Sequence, residues 1–456
     1  MTVREFKSAM QRGLGRCVLE LKNNENIEKY RETVLWGCTH LISYDAQCEG
    51  TKEEYLYLLI SFFPDKEKFL DAVAAKFSAV SGRDMWLFHQ MYGLLCLFAR
   101  DGYAKADTVL SEKRAELYSR LLHKKSGNYY DYTRDCFDWM TAHLIKQRGD
   151  SFAEESVSDL GALFLKNSRY DLRDFDETKW ELEEKFGKEE FPELLARRTD
   201  SPEWSRFADE YRNMIKNDRE NRLSAEKKIS EARTRAVTAE QVVEAIERGD
   251  PFSQIISFRN ADGNEKKRLA TYLEREDDPE KKAEMLWLWF RGNYPGDHDL
   301  LISYAASGNE KLAWAARNVL LNSRSEMIYR YAKERFRGNR ADTDAIGMLL
   351  MNYREEDKED LLSALRDLKI KYDNGSDWHG IAFRIVEAAE KDVSLPEEFY
   401  QWVYEASLCS NCRTNAVKEL AKRGALTSEQ IEECRYDSRS EIVEFIIHSE
   451  EEVRSE

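Results

Sequence analysis

Proline and glycine are scarce in this chain. Its 456 residues include only 7 prolines and 21 glycines. Few points therefore break a regular backbone, which argues against proline-rich linkers and against an all-β fold punctuated by glycine turns. Long apolar runs are missing too. No stretch approaches 18 consecutive apolar residues, so no membrane-spanning helix is expected. The greasiest patch, Leu94-Leu95-Cys96-Leu97-Phe98, is short and reads as a buried helix. The first residues, Met1-Thr2-Val3-Arg4-Glu5-Phe6-Lys7, lack the apolar core of a secretory signal. The eight cysteines are scattered rather than spaced as a disulfide framework. These two features predict reduced thiols and a cytoplasmic protein. An excess of positive charge is also lacking. The net charge is −16, from 70 Lys+Arg against 86 Asp+Glu, which opposes non-specific adhesion to nucleic acid or anionic lipid.

What is present is helical periodicity from end to end. Phe69, Leu70, Val73, Phe77 and Val80 share one helical face. Met85–Phe98 is apolar almost all round, as expected of a central helix covered on several sides. Residues 174–194 carry nine acids and three bases, with Phe175, Leu182 and Phe186 on the opposite stripe. That is the solvated side of an amphipathic helix. Between Lys216 and Arg235 eleven of 20 residues are charged and none is Pro, Gly or aromatic. The expected organisation is an N-terminal helical domain at 1–215, a charged connecting helix or linker at 216–235, and a C-terminal domain at 236–456.

The C-terminal part is repetitive. Asn264-Glu265-Lys266, Asn309-Glu310-Lys311 and Glu356-Asp357-Lys358 each precede an apolar-periodic helix, the first two 45 residues apart. A small polar residue, an acid and a base at a helix start satisfy the exposed N–H groups and the helix dipole. Asp278-Pro279 opens another helix with Pro at its favoured first position. Near the end, helices are expected from Asn411, from Leu426-Thr427-Ser428 and from Tyr436-Asp437-Ser438-Arg439. The period in the forties and the Asp–Arg pair at a helix start resemble HEAT-type repeats over about residues 250–450. The fold class is thus all-α, and the resemblance implies an α-α superhelix, or solenoid, in one or two lobes. Such a solenoid works as a binding surface; together with the net negative charge and the absence of catalytic motifs, the repeat architecture leads to the expectation of a protein-binding scaffold or adaptor. Tyr-Asp occurs at 44–45, 130–131, 170–171, 372–373 and 436–437, and reads as a capping Asp with a stapling Tyr.

The sequence carries no recognisable catalytic signature. Gly13-Leu14-Gly15 lacks the third glycine of a dinucleotide loop, and there is no phosphate-binding lysine loop or nucleophile elbow. No cofactor is expected. The residues with binding potential are few. Arg324–Arg340 holds six bases and two acids. Within it Arg330, Lys333 and Arg337 share a helix face beside Tyr329, a stripe able to grip phosphates. DNA glycosylases built on HEAT-like repeats make a nucleic-acid-binding protein the alternative reading. Asp45 and Glu49 lie in a loop that gathers acid, amide, thiol and glycine. Cys409 and Cys412 form a Cys-x-x-Cys at a helix start, with Cys434 and His448 downstream as the other candidate zinc ligands. Asp297-His298-Asp299 reads as capping chemistry. Arg134-Asp135 with Trp139 and His143 is a candidate groove lining.

Overall fold

A computed structural model describes residues 1–80, 84–123, 132–198, 201–217, 237–249, 258, 261–290, 292–368 and 375–455. The regular elements among these are helices, so the chain is all-α. Most of the charged 216–235 stretch, and the Tyr-Asp pairs at 130–131 and 372–373, lie outside the described residues.

Contacts group the chain into two units. One comprises Met1–Leu223 together with Ser428–Glu456, the other Ser224–Thr427. The first is organised around the helix Met85–Arg100. Its buried residues include Phe88, Met91, Leu94, Leu95 and Phe98, so they point in several directions and need cover on several sides. The helices Arg31–Thr39, Glu53–Ile60, Lys66–Ala79, Ala104–His123 and Thr133–Arg148 provide it. Lys66–Ala79 turns Phe69, Leu70, Val73 and Phe77 inward, the stripe its periodicity predicts.

The sequence reading ran the second domain to residue 456, whereas residues 428–456 group with the N-terminal unit. Specific chemistry holds them there. Arg16 makes a two-pronged ion pair with Glu433, at 2.6 and 2.9 Å. The Ser438 amide donates to the Gly13 carbonyl at 2.9 Å, and Arg439 donates to the Glu49 carbonyl at 3.1 Å. Gly13 and Gly15, read as a broken phosphate loop, permit this approach. Gly13 ends the helix Val3–Arg12 at a φ of +77°, and a Cβ on Gly15 would overlap the Glu433 carbonyl oxygen.

In the second unit packing follows chain order. Pro279–Leu286 and His298–Ala305 both pack on Glu310–Leu320, and His298–Ala305 also meets Glu326–Gly338. Glu326–Gly338 packs on Thr343–Met351, which packs on Gly375–Glu387. Gly375–Glu387 packs in turn on Glu397–Ala406 and Ser410–Lys422. Five of these starts are capped locally. Asp278, Asp297, Asn309, Ser325 and Asp342 accept backbone N–H groups of their own first turns. Two starts differ from expectation. Asn264 is not the cap, because Asp262 accepts from both Asn264 and Glu265, at 2.8 and 2.9 Å. Asp357 makes no side-chain cap bond before Lys358–Asp367; its carboxylate pairs with Lys333 instead.

Candidate functional site

The chain-order packing of the second unit leaves one aromatic cluster in solvent. The helix Glu310–Leu320 turns Leu312, Ala315, Ala316 and Val319 inward. Trp314, two residues past Leu312, is rotated about 200° from it and faces out. Its neighbour in the packing, Pro279–Leu286, runs into a turn of 3-10 helix at Trp287–Trp289. There Trp289 is buried edge-on to Tyr294 at 5.1 Å, while Trp287 faces out. The rings meet at 6.2 Å for Trp287–Trp314, 5.4 Å for Phe290–Trp314 and 5.8 Å for Trp287–Phe290. Trp287 and Trp314 remain 38% and 48% exposed. Scattered exposed apolar residues are ordinary, but rings in mutual contact with solvent are typical of interaction anchors. Two bases on the Trp314 helix are paired with acids. Lys311 reaches Glu280 and Glu284 at 3.0 and 3.3 Å, and Arg317 reaches Asp344 at 3.5 Å. The cluster thus offers apolar burial more than charge. Reading Trp314 against its own helical wheel would have found it.

The basic run separates into inward and outward members. Tyr329 is buried, with the Arg354 guanidinium stacked 3.6 Å from its ring centre and its hydroxyl donating to Glu356 at 3.2 Å. Lys333 is paired with the buried Asp357. Arg330 is exposed and pairs with Glu326 at 2.9 Å, and Arg337 is exposed. Arg324, Tyr329, Met351 and Arg354 also line a cavity of about 530 Å³.

Asp45 and Glu49 bracket the short helix Ala46–Glu49. Glu49 is buried and accepts from the Asp45 amide at 2.8 Å. With its carbonyl taken by Arg439, it belongs to the attachment of the C-terminal segment. The groove candidates of the first unit have separate sets of partners. Arg134 is held between Asp135 and Asp174, both at 2.7 Å. Trp139 stacks on Trp86 at 5.9 Å and stands edge-on to His89 at 4.9 Å. His143 stands edge-on to Tyr92 at 5.4 Å and meets Gln147 at 2.7 Å. Burial holds both imidazoles below their ordinary value, His143 down to about 4.

Cys409 and Cys412 lie together at the start of Ser410–Lys422, and the ligand that joins them is His379, on the packed helix Gly375–Glu387. The expected partners Cys434 and His448 do not join them. Both belong to the other unit, where Cys434 is buried and His448 sits on the surface 3.6 Å from Glu451. Asp297 is a helix cap, accepting from the Asp299 amide at 2.8 Å.

No protein family matches the chain, and no curated protein is similar to it.

Proposed function

We propose that this protein is a non-catalytic scaffold or adaptor of HEAT-like solenoid form, working in the cytoplasm. Its second unit binds a protein partner through Trp287, Phe290 and Trp314. The observation that carries this reading is the contact of exposed Trp287 and Trp314 with each other and with half-buried Phe290. Fully covering an aromatic side chain contributes roughly 1.5–3 kcal/mol from area alone, and tryptophan is enriched among the residues that dominate interface affinity. Lys311 and Arg317 are already paired within the chain, and the rings themselves call for an apolar occupant. An amphipathic helix of another protein, laying aliphatic side chains on the rings, fits that requirement. The chain-order packing supports the solenoid form, in which each repeat buries its face on the next.

Affinity capture with the tagged chain tests the reading. A stoichiometric protein should be retained by the parent and by Trp180→Ala, which removes a lone exposed tryptophan of the first unit. It should be lost from the double variant Trp287→Ala/Trp314→Ala. Capture unchanged by the double variant would refute the assignment. Recovery of nucleic acid instead, lost on changing Arg330 and Arg337 to Glu, would establish the nucleic-acid-binding alternative.

A further inference from the structure

We infer that Cys409, Cys412 and His379 form a binding site for a thiophilic divalent cation, with zinc the expected occupant. Their ligand atoms all lie within 4.8 Å of one another. A tetrahedral zinc ion, with Zn–S near ~2.3 Å and Zn–N near ~2.0 Å, holds its donors about 3.5–3.8 Å apart. Closing the set therefore takes side-chain shifts of roughly 1 Å or less.

The backbone prepares this arrangement. Ser407 is fully buried, accepts from the Cys409 amide at 3.1 Å and donates to the Cys409 carbonyl at 3.0 Å. The same carbonyl accepts from the Arg413 amide at 3.2 Å, starting the helix. Cys409 is thereby the capping residue and Cys412 the third residue in. A spacing of three brings both sulfurs to one end of the helix, where its dipole favours negative charge. His379 arrives from the neighbouring helix, beside the buried Trp378 whose ring centre is 5.8 Å away.

Charge points the same way. Both cysteines are only 3% exposed, and a buried anion needs a compensating partner. A dication bound by two thiolates leaves no net charge on the three. Two sulfurs and one imidazole nitrogen form a donor set that favours zinc over magnesium or calcium, with water completing the tetrahedron. Zinc takes up cysteine as thiolate, so binding releases thiol protons to solvent and affinity rises with pH. A Cys-x-x-Cys pair at a helix start is also the arrangement of a redox disulfide. The imidazole within ligand distance of both sulfurs favours the metal. This inference does not depend on the aromatic surface.

The test uses the full chain, reduced, stripped with chelator and titrated with Co²⁺ and then Zn²⁺. One cobalt per chain should bind with thiolate charge-transfer and tetrahedral d–d bands, and zinc should displace it. Cys409→Ser, Cys412→Ser and His379→Asn should weaken binding by at least ~100-fold, beyond the effect of disturbing a supporting residue. Cys48→Ser, which removes an exposed thiol of the first unit, should change nothing. Should a variant fail to fold, the parent decides, because adding zinc back to the stripped chain must raise its Tm. A reduced, stripped parent that takes up no cobalt overturns the site. So does a Cys409–Cys412 disulfide that accepts no metal once reduced, or undiminished affinity in His379→Asn.

Discussion

Cysteines buried to a similar degree in the two units have their thiols shifted in opposite directions. In the first unit Cys17, Cys38 and Cys96 sit inside helices against the aromatic core. Burial pushes all three thiols up, Cys17 to about 12. In the second unit Cys409 is nearly as hidden, yet its thiol is pushed down, first by Cys412 and then by His379. Burial disfavours a charge only where nothing stabilises it. A helix start with a second thiol and an imidazole beside it stabilises the thiolate; a helix interior packed in leucine and phenylalanine does not. Exposure alone therefore says little about which cysteine is chemically available.

The contrast can be broken by one substitution made twice. Cys38→Ser puts a hydroxyl among apolar neighbours and should cost about 1–3 kcal/mol. Near pH 4, where the Cys409 thiolate no longer contributes, Cys409→Ser in the reduced and metal-free chain should cost no more than about 0.5 kcal/mol, because serine is a favoured capping residue. Urea midpoints measured in chelator would show it, and the reverse ranking would discard the account.

A second measurement reads the thiolate directly. In the metal-free chain at neutral pH, ultraviolet thiolate absorbance should be present, vanish in Cys409→Ser and persist in Cys17→Ala. Because the folded value of Cys409 lies below its ordinary value of 9.0, the thiolate adds stability that is full above that value. The stability is lost as pH falls toward about 4. A signal that instead follows Cys17 would reverse the assignment.

The smallest effect concerns histidine, where the same burial acts with the opposite sign. His143 is held down to about 4 from an ordinary 6.5, chiefly by burial and then by Lys146 and His89. The unfolded chain takes up that proton first as pH falls, so stability should decline between 6.5 and about 4. His143→Gln should reduce the decline by a few degrees of Tm. Comparison with the parent isolates the effect, because Asp138, whose carboxyl burial raises to about 6, is common to both. An identical pH dependence in variant and parent would show that His143 titrates normally.

Much of the fold was legible in the sequence, since helix periodicity and capping act within a few residues. The staple at Tyr170-Asp171 is a case in point. Asp171 accepts from the Arg173 amide at 2.9 Å, and Tyr170 packs edge-on to Phe175 at 6.0 Å. Asp278, Asp297 and Asn309 cap the helices their positions imply. Asp357 shows where such reasoning stops. It stands where a cap belongs, yet Lys333, 24 residues earlier, takes its carboxylate.

The candidate sites divide along the same line. Cys409 and Cys412 are neighbours by spacing alone, so their pairing could be read directly. Their third partner could not, because distance along the chain does not choose it: Cys434 and His448, 22 and 36 residues downstream of Cys412, belong to the other unit, while His379 lies 30 residues upstream of Cys409. The sequence by itself determined the all-α class, several helix starts and the Cys-x-x-Cys, because each depends on residues three or four apart. Tertiary structure decided that residues 428–456 return to the first unit, that Trp287 meets Trp314, and that His379 meets the cysteines. Those contacts depend on which helix faces pack together, and side-chain volume across an interface leaves no periodic trace in the chain.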